Sequence, residues 1–241
     1  LEALVKKNRD DGITLTTLGF GAGNYNEAMM ERIADVGNGN YAYIDSAMEA
    51  QKVLGDELSA TLVTIAKDVK VQVEFNPRYV SQYRLIGYEN RALREEDFTN
   101  DTVDAGDIGA GHQVTALYEV VPTGSPGWAP DRRYPDNRAA TPPSGGTEAA
   151  YVKLRYKLPD GDTSREIASA IPAAALRTAR APMGDTAFAI AVAAFGQKLR
   201  GDTYLGRYSF ADIRALAGQP RGYWRSEFVK LTELAGTARR E

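Results

Sequence analysis

The chain has 241 residues, of which 43% are apolar and 25% are charged, and its net charge is −3. These values are typical of globular proteins, and the length suffices for one large or two modest domains with a hydrophobic core. The chain has no cysteine, which excludes disulfides, thiolate catalysis and Cys-ligated zinc within it and leaves the compartment open. No apolar run approaches the roughly 20 residues that a membrane-spanning helix needs. Basic residues are interleaved with acidic ones, so the sequence shows no basic patch of the kind that binds nucleic acid.

The first part of the chain predicts a strand, a helix, a second strand and a second helix. Apolar residues alternate from Ile13 to Leu18, Asn24 and Glu27 form a capping pattern, Gly37 ends the first helix, and residues 41–44 form a short strand. This order needs a parallel sheet with further strands, which two strands cannot supply. The pattern therefore predicts the closing half of a nucleotide-fold-like domain, and we expect the chain to be a C-terminal piece of a longer protein.

The second helix is predicted from apolar residues at spacings of three and four, and we expect this stripe to pack on the sheet. The stripe consists of Ala47, Ala50, Leu54, Leu58, Leu62 and Ile65. Near Lys67 the period changes to two, and the apolar residues from Val69 to Phe75 alternate with polar ones, as in a half-buried strand. This change predicts a domain boundary near residue 67.

The middle of the chain predicts an antiparallel, sandwich-like β domain. Its further strands are predicted at Tyr79–Tyr88, Val114–Val121, Tyr151–Leu158 and Ser164–Ile171. The last two strands are joined by a hairpin turn at residues 159–162. Residues 122–147 are rich in proline and glycine and predict a long mobile surface loop, ordered at most around Trp128 and Tyr134.

The last third predicts short amphipathic helices that pack on the β domain. One apolar stripe consists of Phe188, Val192, Phe195 and Leu199, and another of Trp224, Phe228, Leu231 and Ala235. Ser209 and Asp212 predict a capping box. The predicted fold class is α+β, with a truncated α/β part at 1–66, an antiparallel β domain at 67–171 and a helical segment at 172–241.

Two candidate binding sites follow from composition. The turn at residues 19–23 is glycine-rich and could cradle phosphate, with Asp45 as the acid for a ribose, but Asn24 stands where dinucleotide spacing needs glycine. A tight structural turn is therefore favoured. The stretch from Glu95 to Asp107 concentrates carboxylates that a hard cation such as calcium could use. Its candidate ligands are Asp97, Asp101, Asp104 and Asp107, but their spacing is not that of an EF-hand, so a solvated acidic loop is favoured.

A catalytic interpretation would rest on His112, the single histidine of the chain. It could act as a general acid or base with the acids of the 97–107 loop, as in a hydrolase. No serine nucleophile with matching spacing lies beside it, so a structural role is favoured. The tyrosines Tyr79, Tyr83, Tyr88 and Tyr118 could form a recognition surface, but packing between strands is the favoured interpretation.

Two sets of residues carry a family resemblance. The first set consists of Thr14–Gly21, Asn26–Met30, Ile33–Gly39 and Tyr41–Ile44, and it resembles the last strands and helices of a von Willebrand factor type A domain. The second set consists of Arg84–Arg91, Asp97–Phe98, Asn100–Asp101, Asp104–His112 and Val114–Glu119. It is similar to the C-terminal region of a bacterial family of type A domain proteins, often described as lipoproteins of unknown function.

The resemblance implies a metal-dependent adhesion site in the parent protein, where magnesium would grip the carboxylate of a partner. Its Asp-x-Ser-x-Ser motif does not occur in this sequence, so no metal ligand is carried over to this chain. We expect a non-enzymatic, protein- or ligand-binding protein of the cell envelope, anchored through a segment N-terminal to this chain. The alternatives are a hydrolase that uses His112 and an envelope scaffold without a specific ligand. An exposed sheet edge could also pair with a second copy.

Overall fold

The computed structural model describes residues 1–21, 26–58, 62–87, 93–103, 105–129, 147–178 and 180–238. The chain divides into two compact units, and each unit is assembled from separate stretches of sequence. The first unit contains 1–73, 91–114 and 152–169, and the second contains 74–90, 115–151 and 170–241. This division differs from the three consecutive segments predicted above, which stay a prediction.

The first unit begins with a β-α-β arrangement. Helix α1 (Glu2–Asp10) precedes strand β1 (Leu15–Phe20), helix α2 (Glu27–Val36) and strand β2 (Asn38–Ile44). The two strands pair in parallel, as predicted, because the intervening helix returns the chain to the same end of the sheet. The helix is capped by the side chain of Asn26, which accepts a hydrogen bond from the Met29 N–H, so the start predicted at Asn24 is wrong.

The predicted long second helix is also wrong. Helix α3 (Ala47–Gln51) passes into a π-helical turn (Lys52–Asp56), in which the Glu57 N–H bonds the Lys52 carbonyl. This wider turn moves later side chains off the expected stripe. Leu54 and Leu62 are 48% and 71% exposed rather than packed on the sheet. Ile65, the predicted end of the helix, lies in the next strand.

A four-stranded sheet has the order β5-β3-β7-β8. Its strands are β3 (Thr64–Phe75), β5 (Gly106–Gly109), β7 (Glu148–Lys157) and β8 (Arg165–Pro172). Strand β3 begins before residue 67 and runs through the predicted boundary. Strand β5 was not predicted, and it overlaps only the last two residues of the acidic loop predicted at Glu95–Asp107. Its antiparallel pairing with β3 places Ala66 opposite Ile108.

The predicted faces of β3 are reversed at its centre. Lys70 is only 3% exposed, whereas Val71 is 53% exposed. The cause is a bulge, since β3 uses three residues from Ala66 to Val69 where β5 uses two, and Asp68 adopts a φ of +49°. The extra residue turns the side chains directly after it to the opposite face. At the end of the strand the predicted faces return, since Glu74 is exposed and Phe75 is half-buried.

The second unit combines a two-stranded antiparallel pair with helices. Strands β4 (Val80–Ile86) and β6 (Leu117–Pro122) pair directly. The helices are α4 (Ala174–Thr178), α5 (Gly184–Arg200), α6 (Phe210–Ala217) and α7 (Tyr223–Ala238), and a 3₁₀ turn at Thr203–Leu205 follows α5. The mixed α and β class with antiparallel pairing is confirmed, and the sandwich arrangement stays a prediction.

The helices pack around Ala191, Ala194, Ile213 and Phe228. The predicted stripe of α5 is half correct, because Phe188 and Phe195 meet Phe228 edge to face, whereas Val192 and Leu199 are exposed. Small alanines face the core in their place, which lets the neighbouring helices approach closely. On α7, Thr232 is fully buried and the predicted Leu231 is 49% exposed. The capping box of Ser209 and Asp212 is confirmed.

Candidate functional site

The predicted acidic loop is anchored by a buried ammonium group. Lys70 of β3 donates from Nζ to the carbonyl oxygens of Asp97, at 3.2 Å, and Asn100. Phe98 beside them is 5% exposed, and the Lys153 ammonium lies 5.9 Å from the centre of its ring. A buried charge is stable only when it is paired or hydrogen-bonded, so these two carbonyls are fixed to the sheet, while Glu95, Glu96 and Asp101 of the same stretch are exposed.

Asp101 is held by two side-chain donors, Arg155 of β7 and Ser164 directly before β8. Its Oδ1 accepts hydrogen bonds from Ser164 Oγ and, at 2.8 Å, from Arg155 Nη2. The Ser164 hydroxyl and then Arg155 lower the pKa of this carboxyl to about 2. Lys157 donates to the Asp101 carbonyl at 2.9 Å and to Asp68 Oδ2 at 2.7 Å. The hydrogen bond to Asp68 raises the pKa of Lys157.

Asp68 and Asp107 also accept hydrogen bonds from backbone N–H groups. The Asp68 N–H donates to Asp107 Oδ1 at 3.2 Å, and the Ala105 N–H donates to Asp68 Oδ1 at 3.1 Å. Within the described ranges, no group of three or more acidic or histidine side chains could hold a metal ion. Asp104 lies outside the described residues. The four predicted ligands, Asp97, Asp101, Asp104 and Asp107, thus stay a prediction.

His112 is exposed in the turn that follows β5, and its N–H bonds the Gly109 carbonyl at 3.1 Å. No hydrogen bond joins its side chain to an acid in the part of the chain that the structure describes. In the glycine-rich turn, Gly21 accepts a hydrogen bond from the Tyr43 hydroxyl at 2.7 Å, and residues 22–25 lie outside the described ranges. Neither position is brought together with other reactive groups described in the structure.

A different site, a cavity of about 440 Å³, lies in the second unit. Strands β4 and β6, helix α5 and the 3₁₀ turn form its walls. The residues that line it are Arg84, Ile86, Leu117, Tyr118, Glu119, Ile190, Ala193, Ala194, Gln197, Tyr204, Leu205 and Tyr208. Concave, mainly apolar cavities with a few fixed polar groups are the usual form of binding sites. We name this feature the Arg84 cavity.

Arg84 is the central charged group of the cavity. It stands opposite Glu119 in the β4–β6 register and bonds Glu119 Oε2 through Nε at 2.7 Å. Its Nη1 donates to Asp202 Oδ2 at 3.0 Å, and the guanidinium lies 4.3 Å from the ring centre of Tyr204. Burial acts to lower the pKa of Arg84, but the two carboxylates outweigh it and raise the pKa. The guanidinium is therefore fixed before any ligand arrives.

Asp202 orders the wall beside Arg84. Its Oδ2 also accepts from Gln197 Nε2 at 2.8 Å, and its Oδ1 accepts from the Tyr204 N–H at 2.9 Å. Burial acts to raise its pKa, but the hydrogen bonds from Gln197, Tyr204 and Arg84 together lower it. Gln197 is 3% exposed, so its carboxamide is held in place on the cavity wall.

Of the four tyrosines for which packing between strands was favoured, two pack in this way. Tyr83 and Tyr118 pack on Phe75 with ring centres 4.5 and 5.4 Å apart, and Tyr88 lies outside the described residues. The backbone N–H of Trp128 donates to Gln82 Oε1 at 2.9 Å, and the ring of Trp128 meets the ring of Tyr204 edge to face. The structure describes this predicted loop as far as Ala129, and Tyr134 lies outside the described ranges.

Sequence reasoning did not single out Arg84, Gln197, Asp202 or Tyr204 as site residues. Arg84 and Asp202 are 118 positions apart, and no catalytic or ligand-binding motif marks either residue, although Arg84 lies in a segment that carries the family resemblance. The one available signal was indirect, since an arginine in the middle of a predicted strand needs a partner if it is buried.

The described residues thus define a mixed α and β chain with a cavity of about 440 Å³ in its second unit. Residues 60–237 match the family described as "Uncharacterized protein YfbK, C-terminal", and the chain belongs to this family. It is 51% identical over 242 residues to "Uncharacterized protein YfbK" of Escherichia coli (strain K12), which covers 98% of this chain and 41% of that protein. The chain therefore spans about two fifths of the length of this relative. The expected family of unknown function is confirmed at this level.

Among solved structures, the chain is similar to the ArnB paralog VWA2 from Sulfolobus acidocaldarius, with a TM-score of 0.41 and 14% identity. The similarity covers 95% of this chain and 54% of that one. None of the described helices is both long enough and apolar enough to cross a membrane.

Proposed function

We propose that the chain is the binding part of a non-enzymatic, adhesion-type protein of the bacterial cell envelope. The observation that carries this proposal is the Arg84 cavity, whose polar groups are already fixed by one another. Pre-organised groups lose little conformational freedom when a ligand binds, which favours recognition. The cavity has apolar walls for contact area and an ordered charged cluster for orientation.

The chemistry of the lining favours binding over catalysis. Its described residues include no serine, cysteine or histidine that could act as a nucleophile with a base. The guanidinium of Arg84 is paired with two carboxylates, and because it stays protonated at neutral pH it cannot serve as a general base. The hydrolase alternative, which places chemistry at His112, has no described acid hydrogen-bonded to that side chain.

The anchored loop of the first unit fits a supporting role. Lys70, Arg155 and Lys157 attach it to the sheet through hydrogen bonds and ion pairs. Such a network holds a surface in one conformation, as a rigid base for a binding face requires. The structural-scaffold alternative differs from our proposal because it predicts that changes in the Arg84 cavity alter no interaction.

The wider setting of the protein forms part of the proposal. The type A resemblance supports a magnesium-dependent adhesion site in the rest of the parent protein, with no cofactor held by this chain. The lipoprotein resemblance supports periplasmic localisation and membrane association through an N-terminal anchor. Strand β8, at one end of the strand order, is exposed at every residue and could pair with a second copy.

A cavity-filling variant tests the binding role. Ala193 lines the cavity, so Ala193→Phe should occupy it, whereas Val192→Phe adds the same ring at a position of α5 that is 43% exposed. The chain and both variants are cross-linked to bacterial envelope extract with magnesium present, and recovered proteins are quantified by mass spectrometry. We expect a partner recovered with the wild type and Val192→Phe to fall at least about tenfold with Ala193→Phe. Equal recovery with all three proteins would contradict the proposal.

A further inference from the structure

We propose that the Arg84 cavity binds an alkylammonium group, namely the lysine side chain of a partner polypeptide. This inference rests on the binding function proposed above and names the chemistry of its ligand. Three features of the cavity support it: the balance of charge, the unused hydrogen-bond acceptors and the nature of the walls.

The charge balance favours a cation. One guanidinium, that of Arg84, lies between the carboxylates of Glu119 and Asp202, and their side chains are 19%, 40% and 17% exposed. The cluster therefore carries one negative charge in excess. An anionic ligand would be repelled by this excess negative charge, whereas a cation would complete the neutralisation of a partly desolvated group.

Two acceptors of the cluster remain available. Arg84 Nε and Nη2 both approach Oε2 of Glu119, and the second oxygen, Oε1, has no hydrogen bond to a described residue. Gln197 must direct its Nε2 to Asp202, since an ionised carboxylate can only accept. Its Oε1 is thereby left as an acceptor on the cavity wall without a described donor. An ammonium group has three N–H donors and no acceptor, so it suits both oxygens.

The walls match the remainder of a lysine side chain. Ile86, Leu117 and Ile190 are apolar lining residues that can cover the methylene stem. The rings of Tyr204 and Tyr208 also line the cavity, and a cation over a tyrosine face is attracted by the negative face of the ring. The guanidinium of Arg84 already makes such a cation–π contact, 4.3 Å from the centre of the Tyr204 ring. A guanidinium is flat and carries its five donors in a rigid fork, so it differs in shape from the compact ammonium group that the two oxygens would receive.

The test uses short blocked peptides and the whole chain. The probe is acetyl-Gly-Lys-Gly-amide, and the controls replace lysine with norleucine, acetyl-lysine or arginine. Binding is followed by NMR shift changes during titration at low and high salt. We expect saturable binding of the lysine peptide, at least about tenfold weaker binding of all three controls, and weakening by salt. Equal or tighter binding of the norleucine, acetyl-lysine or arginine peptide would overturn the inference.

Two variants locate the interaction. Glu119→Gln keeps the shape of the side chain and removes its charge, so the lysine peptide should bind at least about tenfold more weakly. Glu233→Gln makes the same change at an exposed position of α7 outside the cavity and should bind within about twofold of the wild type. Unchanged affinity of Glu119→Gln would contradict the inference. The comparison of peptides on the wild type stays decisive if this variant does not fold.

The two proposals can fail separately. If no lysine peptide binds while Ala193→Phe still abolishes capture of a partner, the ligand chemistry is wrong and the binding function stands. If the lysine peptide does not bind and capture is also unaffected, both proposals fall.

Discussion

Arg84 on β4 and Asp202 beyond the end of α5 form an ion pair with 3.0 Å between Nη1 and Oδ2, across 118 positions of sequence. This pair connects the strand pair of the second unit to its helices. Because both side chains are largely buried, it governs the stability of the cavity as well as its chemistry.

Asp202→Asn should lower the free energy of unfolding by about 2 kcal/mol, because the amide leaves Arg84 without its full charge partner in a buried position. Urea unfolding measures the change. Asp185→Asn is the matched control, since Asp185 is 93% exposed in its pair with Arg225 and should change stability by less than about 0.5 kcal/mol. Equal losses of unfolding free energy in the two variants would contradict the expectation that the Arg84–Asp202 pair stabilises the fold more than the exposed Asp185–Arg225 pair.

Lys70→Met should free the loop that follows Glu95. Methionine fills the space but leaves the carbonyls of Asp97 and Asn100 without their donor, at a cost of about 2 kcal/mol. Hydrogen exchange of the amides at residues 97–103 should accelerate. Lys6→Met, at an exposed position of α1, should leave these amides unchanged. Protection that persists in Lys70→Met would mean that other contacts hold the loop.

The anchor at Asp101 should weaken in acid. Its pKa in the folded chain is about 2 and lies below the ordinary value of 3.8, so its contribution is complete above about pH 4 and is lost as the pH falls toward 2. Acid unfolding of the wild type and of Asp101→Asn should therefore differ in this window, with a shallower loss of stability in the variant. Parallel curves between pH 4 and pH 2 would contradict this assignment.

Gly39→Ala should destabilise the first unit severely, by about 3 kcal/mol or more. A Cβ at this position would lie 2.0 Å from the backbone oxygen of Leu15, and backbone on a paired strand cannot move aside easily. Gly55→Ala is the control, because a Cβ at Gly55 meets nothing within 4 Å, and its effect should stay within about 1 kcal/mol. Thermal unfolding of both variants gives the comparison.

Magnesium or calcium should leave the midpoint of thermal unfolding of this chain unchanged to within about 1 °C. A bound ion at 100 times its Kd would stabilise the chain by about 2.7 kcal/mol, which such a scan detects easily. The expectation follows from Asp101 and Asp107, whose oxygens already accept hydrogen bonds from the protein. A rise of several degrees that is lost in Asp104→Asn would establish the 97–107 segment as a cation site.

Local patterns in the sequence were sufficient for several elements. The parallel pairing of β1 with β2 followed from the strand–helix–strand order, and the capping box of Ser209 and Asp212 followed from spacing. Both depend on residues close in sequence, whose geometry is limited by the backbone. The same patterns failed for the second helix, where the π-helical turn at Lys52–Asp56 interrupts the stripe.

The face that a strand buries was decided by a tertiary feature. Alternation along β3 predicted Val71 inside, but the bulge at Asp68 turned Lys70 inward instead. Lysine tolerates that position because the carbonyl oxygens of Asp97 and Asn100, from a loop distant in sequence, accept hydrogen bonds from its ammonium group. No local pattern contains that information.

The sequence by itself determined the mixed α and β class, most of the strands and the family of this chain. Only the tertiary structure decided where its functional groups meet. The acidic stretch and His112 were the candidate sites in the sequence. The cavity is instead lined by Arg84 and Gln197 and ordered by the neighbouring Asp202, and none of these three residues was predicted as a site residue. The physical reason is that the energy of a buried charge depends on the partners that the fold brings to it, and these partners are far away along the chain.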